Sequence, residues 1–134
     1  MTALKLTEVR PRAATLLAPA APGDPPVIGE MVDSLTPPAL LLEWADPWIV
    51  QETIGGGIGL FYAALNVLCV AGRIEPGPGF DTLEQLVDHV IGRLQPEAWP
   101  LTLSQSPARF DINNIPMLGT RLGFRVPVSV NGGN

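Results

Sequence analysis

Residues Thr53 to Gly72 contain no charged side chain, and no other feature restricts the fold of this chain as strongly. The window approaches the roughly 20 apolar residues that a membrane-spanning helix needs. Gly55 and Gly59 even have the Gly-x-x-x-Gly spacing of packed membrane helices. The local composition argues against a span. Ile54-Gly55-Gly56-Gly57-Ile58-Gly59 is too rich in glycine to hold a helix. No Lys or Arg cluster flanks the window to orient a span; Glu52 and Arg73 merely bound it. A buried helix is a further alternative, but Phe61 to Ala71 reads best as a strand apolar on both faces. Phe61, Ala63, Leu65, Val67 and Cys69 point one way, and Tyr62, Ala64, Leu68 and Val70 the other. Such a strand needs two covers. The chain's own helices supply one. The second is expected to come from outside the chain, because an exposed apolar face marks an interaction site.

The chain is 134 residues long, with 46% hydrophobic residues and a net charge of −5. These values suit one soluble domain, residues 1–134, with its own core. The acidity argues against general nucleic-acid binding, which wants a basic footprint. The charge is uneven. Residues 1–67 carry three basic and seven acidic groups, whereas residues 105–134 carry Arg109, Arg121 and Arg125 against Asp111. The C-terminal segment is therefore a weak basic patch on an acidic body, suited to an acidic partner surface or another copy of the chain. Cys69 is the single cysteine, so no intrachain disulfide is possible, and its apolar surroundings read as those of a small buried hydrophobe. The first residues lack the pattern of a signal peptide, which makes the cytoplasm the expected compartment.

Two helices are expected. Leu6, Val9, Ala13, Leu16 and Leu17 fall on one helical face, with Thr7 as cap, Pro11 in the first turn and Pro19 as terminator. Leu83, Leu86, Val87, Val90, Ile91 and Leu94 form a second stripe. Asp81 is its expected cap, with Glu84 as capping-box partner. Residues 19–38 read as a proline-rich arm lying along the surface or along a neighbour, with one helical turn between Gly29 and Leu35. Ala39 to Trp44 is a short strand, Asp46-Pro47 a turn, and Trp48 to Val50 ambiguous. Gly55, Gly56, Gly57 and Gly59 mark a loop or short strand leading into Phe61–Arg73. Glu75 to Gly79 is a break. The last third reads as strand pieces at Leu101–Leu103 and Arg109–Ile112, a turn at Asn113–Pro116, and a half-buried strand. In that strand Leu118, Leu122, Phe124, Val126, Val128 and Val130 alternate with outward residues. Residues 131–134 read as a frayed tail. The expected fold is α+β, with an about four-stranded, mainly antiparallel sheet and two helices packed on one face.

No constellation of catalytic residues stands out, and no metal or cofactor is expected. His89 is the single histidine and reads as a surface residue. The glycines at 55–59 lack the Lys-Ser or Lys-Thr of a phosphate loop, and Tyr62 breaks the dinucleotide pattern. Glu84 and Asp88 lie four apart on a solvated helix face. Trp44 and Trp48 cap the core ends or anchor an interface. Arg121 and Arg125 share one outward strand face, with Arg109 a candidate to join them from the neighbouring strand. They form either an ordinary solvated face or a cationic strip that docks an acidic neighbour.

Several segments together resemble the tail terminator proteins of long-tailed bacteriophages, and related head–tail connector proteins. They are Pro37-Pro38-Ala39-Leu40-Leu41-Leu42, Leu65-Asn66-Val67-Leu68-Cys69-Val70-Ala71, Thr82-Leu83-Glu84-Gln85-Leu86-Val87-Asp88 and Leu122-Gly123-Phe124-Arg125-Val126-Pro127-Val128. The resemblance covers most of residues 5–130. It implies a non-catalytic virion protein, made in the host cytoplasm, that forms a hexameric ring. That ring caps the tail tube and offers a surface to the head connector, with DNA merely passing through its lumen and no membrane involved. The implied partners are copies of itself, the tail tube protein and the head–tail connector protein. The candidates for subunit contacts are Arg109, Arg121 and Arg125, and those for docking are Trp44, Trp48 and Gly55–Gly59. A monomeric adaptor using the same surface is the alternative.

Overall fold

In the computed structural model, the described residues are 3–20, 26–28, 37–54, 58–73, 79–112 and 114–129. The described parts of the uncharged window, Thr53–Ile54 and Ile58–Gly72, are strand, as their residues dictate. β-Branched and bulky apolar side chains alternate across a pleated backbone, and an apolar strand is stable only with neighbours on both edges and cover on both faces. β3 (Ala39–Ile54) and β4 (Ile58–Arg73), each 16 residues long, pair antiparallel as a hairpin. β4 pairs on its other edge with β7 (Ile115–Ser129). Shorter pieces line the outer edge of β7: β1 (Leu4–Lys5), β5 (Leu101–Ser104) and β6 (Ala108–Ile112). β2 (Val27–Ile28) flanks β3. The sheet order is β1-β7-β4-β3-β2, with β5 and β6 also on β7.

The α+β class and the two helices are therefore as the sequence indicates, but the sheet is larger than four strands and is mixed. β1 and β2 are two residues each and run parallel to their partners, and strands so short carry no periodicity. Leu4–Lys5 leads directly into a helix. Val27–Ile28 belongs to the proline-rich arm, so that stretch adds a strand to the sheet edge; the Leu40 N–H donates to the Pro26 carbonyl at 3.0 Å. The turn expected within 29–35, the glycines at 55–57 and the tail at 131–134 lie outside the described residues.

β3 is longer than its expected Ala39–Trp44. Its pairing slips between Trp44 and Ile49, where Ala45 to Trp48 oppose Ala64 alone. A bulge of this size absorbs Pro47, which has no N–H for the ladder, and lets the strand resume beyond it.

The helices α1 (Leu6–Leu17) and α2 (Gly79–Leu94) cover one sheet face. Val9, Ala13 and Leu17 of α1 and Leu83, Leu86, Val90 and Leu94 of α2 pack on Ala63, Leu65, Val67 and Cys69 of β4, with Leu122, Phe124 and Val126 from β7. Two details differ from the sequence reading. α1 begins at Leu6, with Lys5 at the cap: the Lys5 N–H donates to Glu8 Oε1 at 2.8 Å. Pro11 accordingly sits in the second turn, where its missing N–H leaves the Thr7 carbonyl without a helical donor. α2 begins at Gly79, which places Asp81 inside the first turn rather than at the cap; there it still favours the helix dipole.

The opposite face corrects a central expectation. Leu68 and Val70 are buried by this chain itself, in a second cluster with Leu41 and Met117, flanked by Phe110, Ile112 and Ile115. The β6–β7 hairpin supplies that cover. Tyr62 and Ala64, nearer the other end of β4, remain half-buried.

Gly119 allows the strands to close. A Cβ there would lie 2.7 Å from the Cys69 carbonyl oxygen and 3.1 Å from Phe110 Cδ2. Gly119→Ala is expected to cost about 1–3 kcal/mol by overpacking against backbone, read as a lower urea midpoint. Gly92→Ala, on α2 with nothing within 4 Å, is expected to raise stability by about 0.5–1 kcal/mol.

Candidate interaction site

The β3–β4 hairpin outruns the rest of the sheet. β4 pairs with β7 as far as Phe61. Beyond it, Glu52 to Ile54 pair with Ile58 to Leu60 and with no third strand among the described residues. The other edge of β3 is equally open: β2 reaches Leu40 and Leu41, and no described strand pairs outward from Leu42 to Ile54. An unpaired strand edge presents a row of free N–H and C=O groups to any chain that can add to it.

The tryptophans stand at the base of this ribbon. The bulge brings Trp48 against Trp44 with ring centroids 5.1 Å apart and planes tilted by 36°, within the separation at which aromatic pairs attract. Trp44 packs on the main core, while Trp48 and Ile49 are 44% and 38% exposed. A cleft of about 410 Å³ opens between the pair and α1, lined by Leu6, Pro11, Ala14 and Leu42. Of the residues expected at a docking surface, Trp44 and Trp48 lie on β3 and Gly59 on the paired strand β4, and Gly55, Gly56 and Gly57 lie outside the described residues.

The arginines do not act as one strip. Arg121 and Arg125 share the face opposite the helices, as expected. Each crosses β4 to an acid on β3: Arg121 Nε pairs with Glu43 Oε1, and Arg125 Nη1 with Glu52 Oε1. Arg121 also lies 5.2 Å over the Phe110 ring, and Arg125 6.0 Å from the Tyr62 ring centroid. Cations in such positions gain from the ring quadrupole. These two side chains therefore roof the half-buried part of β4 that the β6–β7 hairpin leaves uncovered. Arg109 is elsewhere. It is opposite Leu118 in the register, which puts it on the helix side of the sheet, where it pairs with Asp111 at 3.1 Å. Strand parity separates it from the other two. Sequence reasoning missed Glu43 and Glu52 as partners. They lie more than 70 residues from their arginines, and no local signal links them.

Other polar groups serve the fold. His89 is part-buried rather than a surface residue: its Nε2 lies 3.1 Å from the Leu17 carbonyl oxygen at the end of α1. The ring thus joins the two helices and satisfies one of the orphan carbonyls. Arg12 pairs with Glu97 in the 3₁₀ turn after α2. Trp99 is buried in the main core. Burial pushes the Cys69 thiol up from 9.0 to about 12. No group of three or more His, Cys, Asp or Glu side chains among the described residues could hold a metal ion. No helix among them is long and apolar enough to cross a membrane.

Compared with protein-family models and with curated protein sequences, the chain matches none.

The two ion pairs are expected to differ in worth. Arg121 and Glu43 expose about a quarter of their side chains, and Arg125 and Glu52 more than a third. A double-mutant cycle with alanine should give about 1 kcal/mol of coupling for the first pair and a few tenths for the second, with the second lost first as salt is added. Cys69 contributes a pH dependence. Its folded thiol holds its proton above 9.0, the value of an unperturbed thiol, and up to about 12. Its contribution is present below pH 9 and is lost as pH rises toward 12. Unfolding midpoints measured across that range should fall less steeply for Cys69→Ala.

Proposed function

We propose that this chain is a structural subunit of the tail-terminator type. In this reading it is a virion protein that assembles into a hexameric ring at the head-proximal end of a phage tail tube. The ring would stop tube growth and join the tube to the head connector. One observation carries the reading: the long β3–β4 ribbon leaves the sheet with no described strand on its outer edge and with Trp48 and Ile49 exposed at its base. A strand edge of this length is an aggregation hazard for a lone soluble protein, and aromatic anchors beside an open edge suit a specific partner. Head-to-tail contacts between copies close into rings when the rotation permits. The segments that resemble tail terminators include Leu65–Ala71 of β4, the strand whose other end enters this ribbon. In this reading the ring works by contact alone, without a cofactor or a catalytic group, and DNA passes through an acidic lumen without binding its walls.

A monomeric head–tail adaptor is the second reading. It is favoured by the cover that the β6–β7 hairpin gives Leu68 and Val70, which reduces the apolar surface left for other copies. The expected result is a closed ring in electron micrographs and a matching mass by light scattering, alone or after addition of tail tube protein. A stable monomer under both conditions would overturn the ring. Trp48→Ala combined with Ile49→Ser is expected to weaken the assembly while changing folding stability by no more than about 1 kcal/mol, because both side chains are substantially exposed.

A further inference from the structure

α2 carries more apolar surface than its own core uses. Leu83, Leu86, Val90 and Leu94 face inward and are buried. Phe80, Val87 and Ile91 lie on the adjoining face, spaced seven and four residues apart, so they stack along one side of the helix. Phe80 is 59% and Ile91 38% exposed. They form one wall of a groove of about 430 Å³, and Gln105 and Pro107 in the β5–β6 connection form the other. This groove lies on the helix side of the sheet, away from the β3–β4 ribbon.

The lip of the groove is acidic. Glu84 and Asp88 border it, and Asp81 lies one turn back on the same outer side of α2. None of these three carboxylates has an ion-pair partner among the described residues. The occupant is therefore expected to be apolar with flanking positive charge. A second copy of this chain fits poorly. It carries a net charge of −5, and of its described basic side chains Arg12, Arg109, Arg121 and Arg125 are in ion pairs, Arg10 and Arg93 are engaged, and Lys5 is exposed, one cation against three carboxylates. A more basic polypeptide matches the acidic lip better than a second copy does.

We propose that the groove between α2 and the β5–β6 connection docks a basic amphipathic segment of another protein. Its apolar side chains would enter between Phe80, Val87 and Ile91, and its Lys or Arg residues would meet Glu84 and Asp88. This is the helix-in-groove mode of recognition, with charge setting the choice of partner. The site stands whether or not the chain forms a ring.

The test uses the full chain, isotopically labelled, titrated with a synthetic amphipathic helix of leucine and lysine. A second peptide with the same leucines and glutamate for lysine is the control. The expected result is amide shifts confined to Phe80, Val87, Ile91, Gln105 and their neighbours, with the lysine peptide alone. Binding should weaken about tenfold or more in the double variant Glu84→Lys, Asp88→Lys, which leaves the core residues untouched. Ile91→Ser should weaken it with both charges in place. Absence of binding, equal binding of the glutamate peptide, or shifts centred on Trp44 and Trp48 would each overturn the proposal. So would groove shifts that grow with protein concentration and no peptide, because a second copy would then be the occupant.

Discussion

The pairing of β4 with β3 on one edge and β7 on the other is the constraint on which the rest of the molecule depends. It fixes parity. Once Leu65 is opposite Phe124 and Trp44, every second residue of β4 and β7 between their irregularities, and of β3 as far as its bulge, is committed to the same side. Leu40, Leu42, Ala63, Val67, Cys69, Leu122 and Val126 then form one apolar floor under α1 and α2. A slip of one residue would turn all of them outward. The floor in turn demands apolar stripes from both helices, and their sequences supply them.

The other parity class is handled in two ways along its length. At one end the β6–β7 hairpin folds over Leu68 and Val70. At the other end the cover is polar but not solvent alone. Arg121 and Arg125 reach across β4 to Glu43 and Glu52, so their aliphatic stems lie over the sheet while their charges are matched. Exposed ion pairs contribute little stability individually. Their value here lies in what they shield: Tyr62 and Ala64 stay half-buried beneath matched charges rather than fully open to water. The same arrangement removes the two arginines from the supply of free cations and leaves the surface acidic.

How much of this was legible in the sequence follows from the range of each signal. The window Thr53–Gly72 identified β4 because apolar alternation is local, and the stripe of α2 was visible for the same reason. The alternation in Leu118–Val128 identified β7. The bulge at Ala45–Trp48 was not legible, since a four-against-one slip destroys the period that reveals a strand, and Asp46-Pro47 reads as a turn. β1 and β2 were too short to show a period. The expected grouping of Arg109 with Arg121 and Arg125 failed because parity across β6 and β7 depends on the hairpin register, which residue types alone do not set. Of the candidate surface, the nearness of Trp44 and Trp48 was legible, because they bracket three residues at a strand end. The partners of the arginines and the apolar overflow of α2 were not, because both arise from contacts distant in the chain.

The open edge and the groove make different physical demands on a partner. The edge of β3 offers backbone groups, which are the same in every protein; added specificity there has to come from Trp44, Trp48 and the shape of the bulge. An identical subunit meets that demand readily, because a ring repeats one contact and needs just one complementary pair of surfaces. The groove on α2 offers acids that have no ion-pair partner among the described residues beside Phe80 and Ile91, and a second copy brings a net charge of −5. Charge therefore separates the two surfaces by the kind of chain each accepts. In the proposed reading the ribbon takes another copy, and the groove takes a polypeptide of opposite charge.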